Sequence, residues 1–234
     1  MNNVSVSKDR AASEFAAVKG GLVVSCQVPD GTAIDTPEFI AAQALTVIQA
    51  GAVGIRARSV ANVSAIAKVT DVPIIGLVKR YLDTTPIYIT PTIQDVLDLE
   101  AAGASMVAID ATERLRPGGV TLKDFMEQIR AVTDIPILAD VDSLAAGILA
   151  ESLGCEAIAT TLSGYTETPS SQLPNIDLVK ELVNHVKIPV VAEGGYNNPE
   201  QVASAFKAGA WSVCVGTAIT NPYLLTKAFL EAIN

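Results

Sequence analysis

Aromatic residues make up only 5% of this sequence, so its interior must be filled by Val, Ile, Leu and Ala. That composition suits strands buried on both faces. Charge is sparse too, at 18% against 50% hydrophobic residues, which is apolar enough to bury a large core. Positive charge is the scarcer sign: 16 Lys and Arg against 25 Asp and Glu leave a net charge of −9. Such a balance argues against nucleic acid or an anionic membrane as the main partner. An anionic metabolite stays open, because a few local cations and backbone amides can hold one. The three cysteines, Cys26, Cys155 and Cys214, are odd in number, widely spaced and set inside apolar runs. They fit reduced core residues of a cytosolic protein, with no disulfide frame and no metal site. No apolar run reaches the ~20 residues of a membrane helix. The opening stretch "MNNVSVSKDRAASEFAAVKGG" has no apolar signal region, so a cytoplasmic location is expected.

Two patterns alternate along the chain. One is a small-residue turn followed by a short apolar run: "AGAVGIRA" from Ala50, "AGASMVAID" from Ala102, "LGCEAIATT" from Leu153 and "AGAWSVCVG" from Ala208. The other is a polar turn, Ile or Val, a proline, and an apolar run: "TDVPIIGLVK" from Thr70, "TDIPILAD" from Thr133 and "VKIPVVAEG" from Val186. With "GLVVSCQ" from Gly21 these make eight candidate strands. Gly51, Gly103, Gly154 and Gly209 each fit a left-handed cap closing the preceding helix. Each proline fits the first residue of a strand, where a missing N–H does no harm. Helical stretches lie between, several with good caps, such as Thr36 before Pro37 and Asn198 before Pro199. Eight such units predict an α/β fold, a single (β/α)8 TIM barrel over residues 21–234. Residues 1–20 then form an extra N-terminal helix that could close the barrel floor. A doubly wound sheet is disfavoured by the evenness of the units.

In this fold chemistry sits where strands end and βα loops begin. The polar residues at those ends are Gln27, Arg56, Arg58, Lys79, Arg80, Asp110, Asp140, Thr160, Thr161 and Glu193. Lys79 and Glu193 are each the first charged residue after a buried run, well placed to face the barrel mouth. Arg58 and Arg80 read equally as solvated rim charges, and Asp110 as a loop cap or a partner of Arg114. His185, the one histidine, follows a helix and lies on the wrong side of strand seven, so histidine catalysis is not expected. The loops "EGGYNNPE" and "GTAITNPY" supply Gly194, Gly195, Gly216 and Thr217, whose backbone can approach a phosphate closely. The same glycines would also serve simple tight turns.

Several segments resemble the N-acetylmannosamine-6-phosphate 2-epimerase family: "GLVVSCQ", "AVGIRA", "PIIGLVKR", "YITPT", "AIDATERLRP", "TTLSGYT", "VVAEGGYNNP" and "VGTAIT". The resemblance runs from about Gly21 to the C-terminus. It implies interconversion of N-acetylmannosamine 6-phosphate and N-acetylglucosamine 6-phosphate, a step in sialic acid breakdown, with no cofactor and no metal. It also implies Lys79 and Glu193 as the catalytic pair, Gln27, Arg56 and Asp140 as substrate contacts, and a homodimer. Thr160 is taken with the substrate contacts as a strand-six end residue. The chain departs from the family pattern at Gly195 and Asn221, where many members have arginine.

Epimerising C2 means breaking a C–H bond beside a carbonyl, so the sugar reacts as its open aldehyde and needs a base within reach. Lys79 can be that base if burial or nearby Arg56 or Arg80 lowers its pKa. Glu193 would tune it, shuttle protons at oxygen, or act as a second base. Three rivals remain open at this point: a Schiff-base lyase, another phosphate-binding barrel isomerase, and a non-catalytic sugar-phosphate sensor.

Overall fold

The computed structural model describes residues 3–167 and 172–233. Eight parallel strands close into a barrel in chain order. They are β1 (Leu22–Cys26), β2 (Gly54–Arg58), β3 (Ile74–Leu77), β4 (Met106–Asp110), β5 (Ile137–Asp140), β6 (Ala157–Ala159), β7 (Val190–Glu193) and β8 (Ser212–Val215). Around them run α2 (Pro37–Gln49), α3 (Val60–Ala67), α4 (Ile93–Ala101), α5 (Leu122–Val132), α6 (Leu144–Ser152), α7 (Ile176–His185) and α8 (Pro199–Lys207). Helix α1 (Asn3–Ala17) precedes the barrel, and α9 (Thr217–Thr220) and α10 (Pro222–Glu231) follow it. The expected barrel and its N-terminal helix are both present.

Side-chain parity along each strand decides what meets what. Val23, Ile75, Leu77, Met106, Ala108, Leu138, Ala157, Ala159, Val191 and Cys214 form one buried cluster in the lumen. The alternate positions, among them Val24, Ile55, Ile74, Val107, Ile137, Ile158, Val190 and Val213, belong to a second cluster packed under the helices. This is the two-faced burial that a low-aromatic, Val- and Ile-rich sequence implies.

Prolines 73, 136 and 189 stand one residue before their strands, slightly earlier than expected. Lacking N–H groups, they still accept: their carbonyls take the N–H groups of Ile55, Val107 and Ile158 at 3.0, 2.9 and 2.9 Å. The anticipated caps form, with Thr36 accepting from Phe39 N–H at 3.2 Å and Asn198 from Gln201 N–H at 3.0 Å. Gly103 and Gly209 follow their helices at φ +100° and +98°. A Cβ there would come within 2.8 Å of Ala67 and Val183 respectively, so both the turn and the packing require glycine.

The lumen is sealed at its lower end by α1 and the turn after it. Phe15 and Val18 are buried and join the lumen cluster. Trp211, just before β8, donates its indole N–H to the Phe15 carbonyl at 2.7 Å, and Lys19 lies 4.4 Å over the Trp211 ring. Truncating Phe15 removes that seal. Phe15→Ala is expected to lower the unfolding free energy by about 3–5 kcal/mol. Urea unfolding checks this, and a change below about 1 kcal/mol would mean that the floor does not depend on α1.

Candidate active site

The upper end of the lumen opens into a cavity of about 700 Å³. Its wall includes Gln27, Arg56, Lys79, Glu193, Gly194, Gly195, Gly216 and Thr217, so eight of the ten expected site residues meet in one place. The other two, Asp140 and Thr160, stand behind the wall.

Arg56 organises the centre. It points inward from β2 and is 1% exposed. Its two terminal nitrogens donate to the two oxygens of Asp140 at 3.0 and 2.6 Å, and Nη1 also donates to Glu193 at 2.9 Å. Burial opposes the guanidinium charge, but Asp140 and Glu193 outweigh it, so Arg56 is held charged above its ordinary range. Asp140 at the end of β5 is fully buried and serves as this counter-ion; Thr161 donates to it at 2.7 Å.

Parity corrects the placement of Thr160. Inward positions on strand six are Ala157 and Ala159, which puts Thr161 inward and Thr160 outward. The Thr160 hydroxyl accepts from Glu193 N–H at 3.0 Å and donates to the Glu193 carbonyl at 2.8 Å. It therefore stitches β6 to β7 and fixes the backbone that carries Glu193. Thr161 is the strand-six hydroxyl on the cavity wall. Counting alternation forward from Ala157 would have found it.

Lys79 is anchored by an unusual hairpin. It bridges Ile89 in antiparallel fashion, while Thr90 N–H and Arg80 N–H bond the carbonyls of Val78 and Tyr88 at 2.8 and 2.9 Å. Thr90 takes a φ of +45°, and its hydroxyl accepts from Val78 N–H at 3.2 Å and donates to Ala108 O at 2.6 Å. That turn folds the β3–α4 segment back onto β4. Its two tyrosines, Tyr81 and Tyr88, stack at 5.5 Å between centroids and line the cavity. Burial pushes Tyr88 up to about 12.

In the closed ring β3 and β7 lie four strands apart, so Lys79 and Glu193 face each other across the mouth. Burial first, then the Arg56 and Arg58 charges, lowers the Lys79 pKa below the ordinary lysine value. Burial raises that of Glu193, against the pull of Arg56. Opposite displacements of this kind bring an amine and a carboxyl toward a common working range. Cys214, Glu193's register partner on β8, also lines the wall, buried and kept as the neutral thiol by burial and by Glu193. Set inside an apolar run, it reads in the sequence as an ordinary core residue.

Two other strand-end charges, Arg80 and Asp110, are held in ion pairs off the cavity wall. Arg80 donates to Asp95 at 2.7 Å, at the start of α4, and is a half-exposed rim cation. Asp110 takes Arg114 at 2.6 Å and caps Thr112 N–H at 3.0 Å. His185 ends α7, on the far side of β7 from the cavity.

A closed parallel barrel with a weakened amine and a part-buried carboxyl facing each other at its mouth belongs to the class of barrels whose cavity at the strand ends takes a small metabolite. The sequence profile of a family described as "Putative N-acetylmannosamine-6-phosphate epimerase" matches residues 40–234. A relative of the same description (as 2-epimerase) from Clostridium perfringens strain 13 is 42% identical over 217 residues, 92% of this chain and 98% of the relative. Another, from Thermosynechococcus vestitus, is 40% identical over 92% of this chain and 94% of its own. The solved structure of the C. perfringens N-acetylmannosamine-6-phosphate 2-epimerase superposes with a TM-score of 0.88 at 41% identity, covering 93% of this chain and 95% of that one. An archaeal fructose 1,6-bisphosphate aldolase, at 17% identity and a TM-score of 0.62, shares the fold alone. The chain belongs to the N-acetylmannosamine-6-phosphate epimerase family.

Removing one partner of a buried ion pair strands the other charge. Asp140→Ala is therefore expected to destabilise the fold by about 3–5 kcal/mol, read from urea unfolding. A loss of less than about 1 kcal/mol would mean that Glu193 alone suffices to hold Arg56.

Proposed function

We propose that this protein interconverts N-acetylmannosamine 6-phosphate and N-acetylglucosamine 6-phosphate by moving the proton at C2. The observation that carries the proposal is Lys79, an amine with lowered pKa that faces Glu193 across a cavity of about 700 Å³. Family membership supplies the substrate. The ring opens to the aldehyde, and Lys79 removes the C2 proton to give a 2-acetamido enolate, its charge on the C1 oxygen. Reprotonation on the other face of C2 gives the epimer, so no proton is gained or lost overall. Glu193 holds and returns protons at the carbonyl and ring oxygens, with Arg56 fixing its position. Gln27, whose amide donates to Ser25 Oγ at 2.8 Å, lines the same wall as a substrate contact. Asp140 and Thr160 serve the substrate indirectly, by holding Arg56 and Glu193. Gly194, Gly195, Gly216 and Thr217 receive the phosphate through their backbone.

The proposal includes a cytoplasmic location, supported by the sugar-phosphate substrate and three free cysteines. No helix among the described residues is long and apolar enough to cross a membrane. A homodimer is also proposed, supported by Phe229 on α10 and Ile233 beyond it, which are 76% and 78% exposed. Light scattering should give twice the chain mass for the native protein and a single chain mass for Phe229→Glu; a monomeric native protein ends the dimer proposal.

Turnover in deuterated water should place deuterium at C2 of the product, and an epimer formed without it would sink the mechanism. Lys79→Ala should cut kcat/KM by about 10²-fold to 10⁴-fold or more with the fold intact. The working amine must be neutral, so activity should rise as pH rises through the Lys79 pKa, with a midpoint below the ~10.4 of an ordinary lysine. A midpoint at or above that value would remove Lys79 as the base.

A further inference from the structure

The side-chain cations on the cavity wall are Arg56, Arg58 and Lys79. Arg56 is committed to Asp140 and Glu193. Arg58 is tied down as well: it pairs with Asp30 and with Asp35 at 3.6 Å, and donates to the Val28 carbonyl at 3.2 Å. Lys79 stands on the β3 side, across the barrel from the loops that follow β7 and β8. Those loops, where the proposed function seats the phosphate, present no cationic side chain to the cavity among the described residues. The Thr-Pro-Ser-Ser segment at 168–171 carries no charge either.

Two positions make this a built feature. Gly195 has a φ of +76°, and a Cβ there would come within 2.6 Å of Leu173 Cβ and 3.3 Å of the Pro174 nitrogen. The segment before α7 fills the space that a long side chain at 195 would need. Asn221, 6% exposed, uses its side-chain oxygen to cap α10, accepting from Leu224 N–H at 3.0 Å. At these two wall positions, packing at 195 and capping at 221 take the place of a cationic side chain.

We propose that this enzyme holds the phosphate of its substrate without a cationic side chain, and that it therefore also epimerises the unphosphorylated N-acetyl-aminohexose. This rests on the epimerase reading above. The chemistry is unchanged by the loss of the phosphate: the C2–H bond breaks to Lys79 and re-forms on the opposite face, and no phosphate bond is made or broken. What is lost is a few backbone N–H contacts to a charged oxygen in an open mouth, each worth roughly tenfold in affinity. A desolvated cation clamp would add orders of magnitude to that preference.

The test is a side-by-side proton-NMR assay of N-acetylmannosamine and its 6-phosphate with the native protein. The expected kcat/KM for the phosphorylated sugar exceeds that for the free sugar by no more than about 10³-fold, the product of two or three such tenfold contacts. A larger ratio, or turnover of the phosphorylated sugar alone, overturns the inference. Turnover of neither sugar overturns the epimerase reading and this inference with it.

Discussion

A guanidinium held almost wholly out of water is the constraint around which this barrel is arranged. Desolvating a single ion costs several kcal/mol, and only close, well-directed partners offset it. Arg56 from β2 meets Asp140 from β5 and Glu193 from β7, so three strands that never pair directly are tied together through the lumen. The same charge then acts outward. It draws the Glu193 carboxyl into a fixed place and weakens the proton affinity of Lys79. One buried cation thus fixes the geometry at the mouth and adds to burial in setting its acidity.

The lesser contacts make sense as support for that centre. Thr160 spends its hydroxyl on the Glu193 backbone, and Thr161 spends its own on Asp140. Thr90 accepts a left-handed backbone so that the segment bearing Lys79 folds back on β4. Each is an ordinary hydroxyl whose worth lies in what it immobilises. Catalytic geometry tolerates little slack, and these bonds remove it.

The barrel was legible in the sequence because its signals are local and repeat: glycine after a helix, proline before a strand, and runs of Val and Ile between. Lys79 and Glu193 were legible because each breaks such a run. What was not legible has identifiable causes. Helix α3 is eight residues of Val, Ala, Asn, Ser and Ile, too short to stand out, and its cap residue Ser59 sits at φ +79°. Thr160 and Thr161 differ only in parity, which needs the strand's register and not its composition. Asp140 resembles a cavity carboxylate until Arg56 is seen to occupy both its oxygens. Tyr88 comes to the wall through the hairpin that pairs it with Arg80, and Cys214 through its register with Glu193, placements that composition does not mark.

The sealed floor also governs traffic. With Phe15 and Val18 packed into the lower lumen, the mouth that admits a sugar is the one through which its epimer must leave. Entry and exit are then the same event run in opposite senses, and the two epimers compete for a single doorway. An enzyme so built has no outlet that favours a direction; the flow it carries follows whichever epimer the cell supplies and whichever it drains.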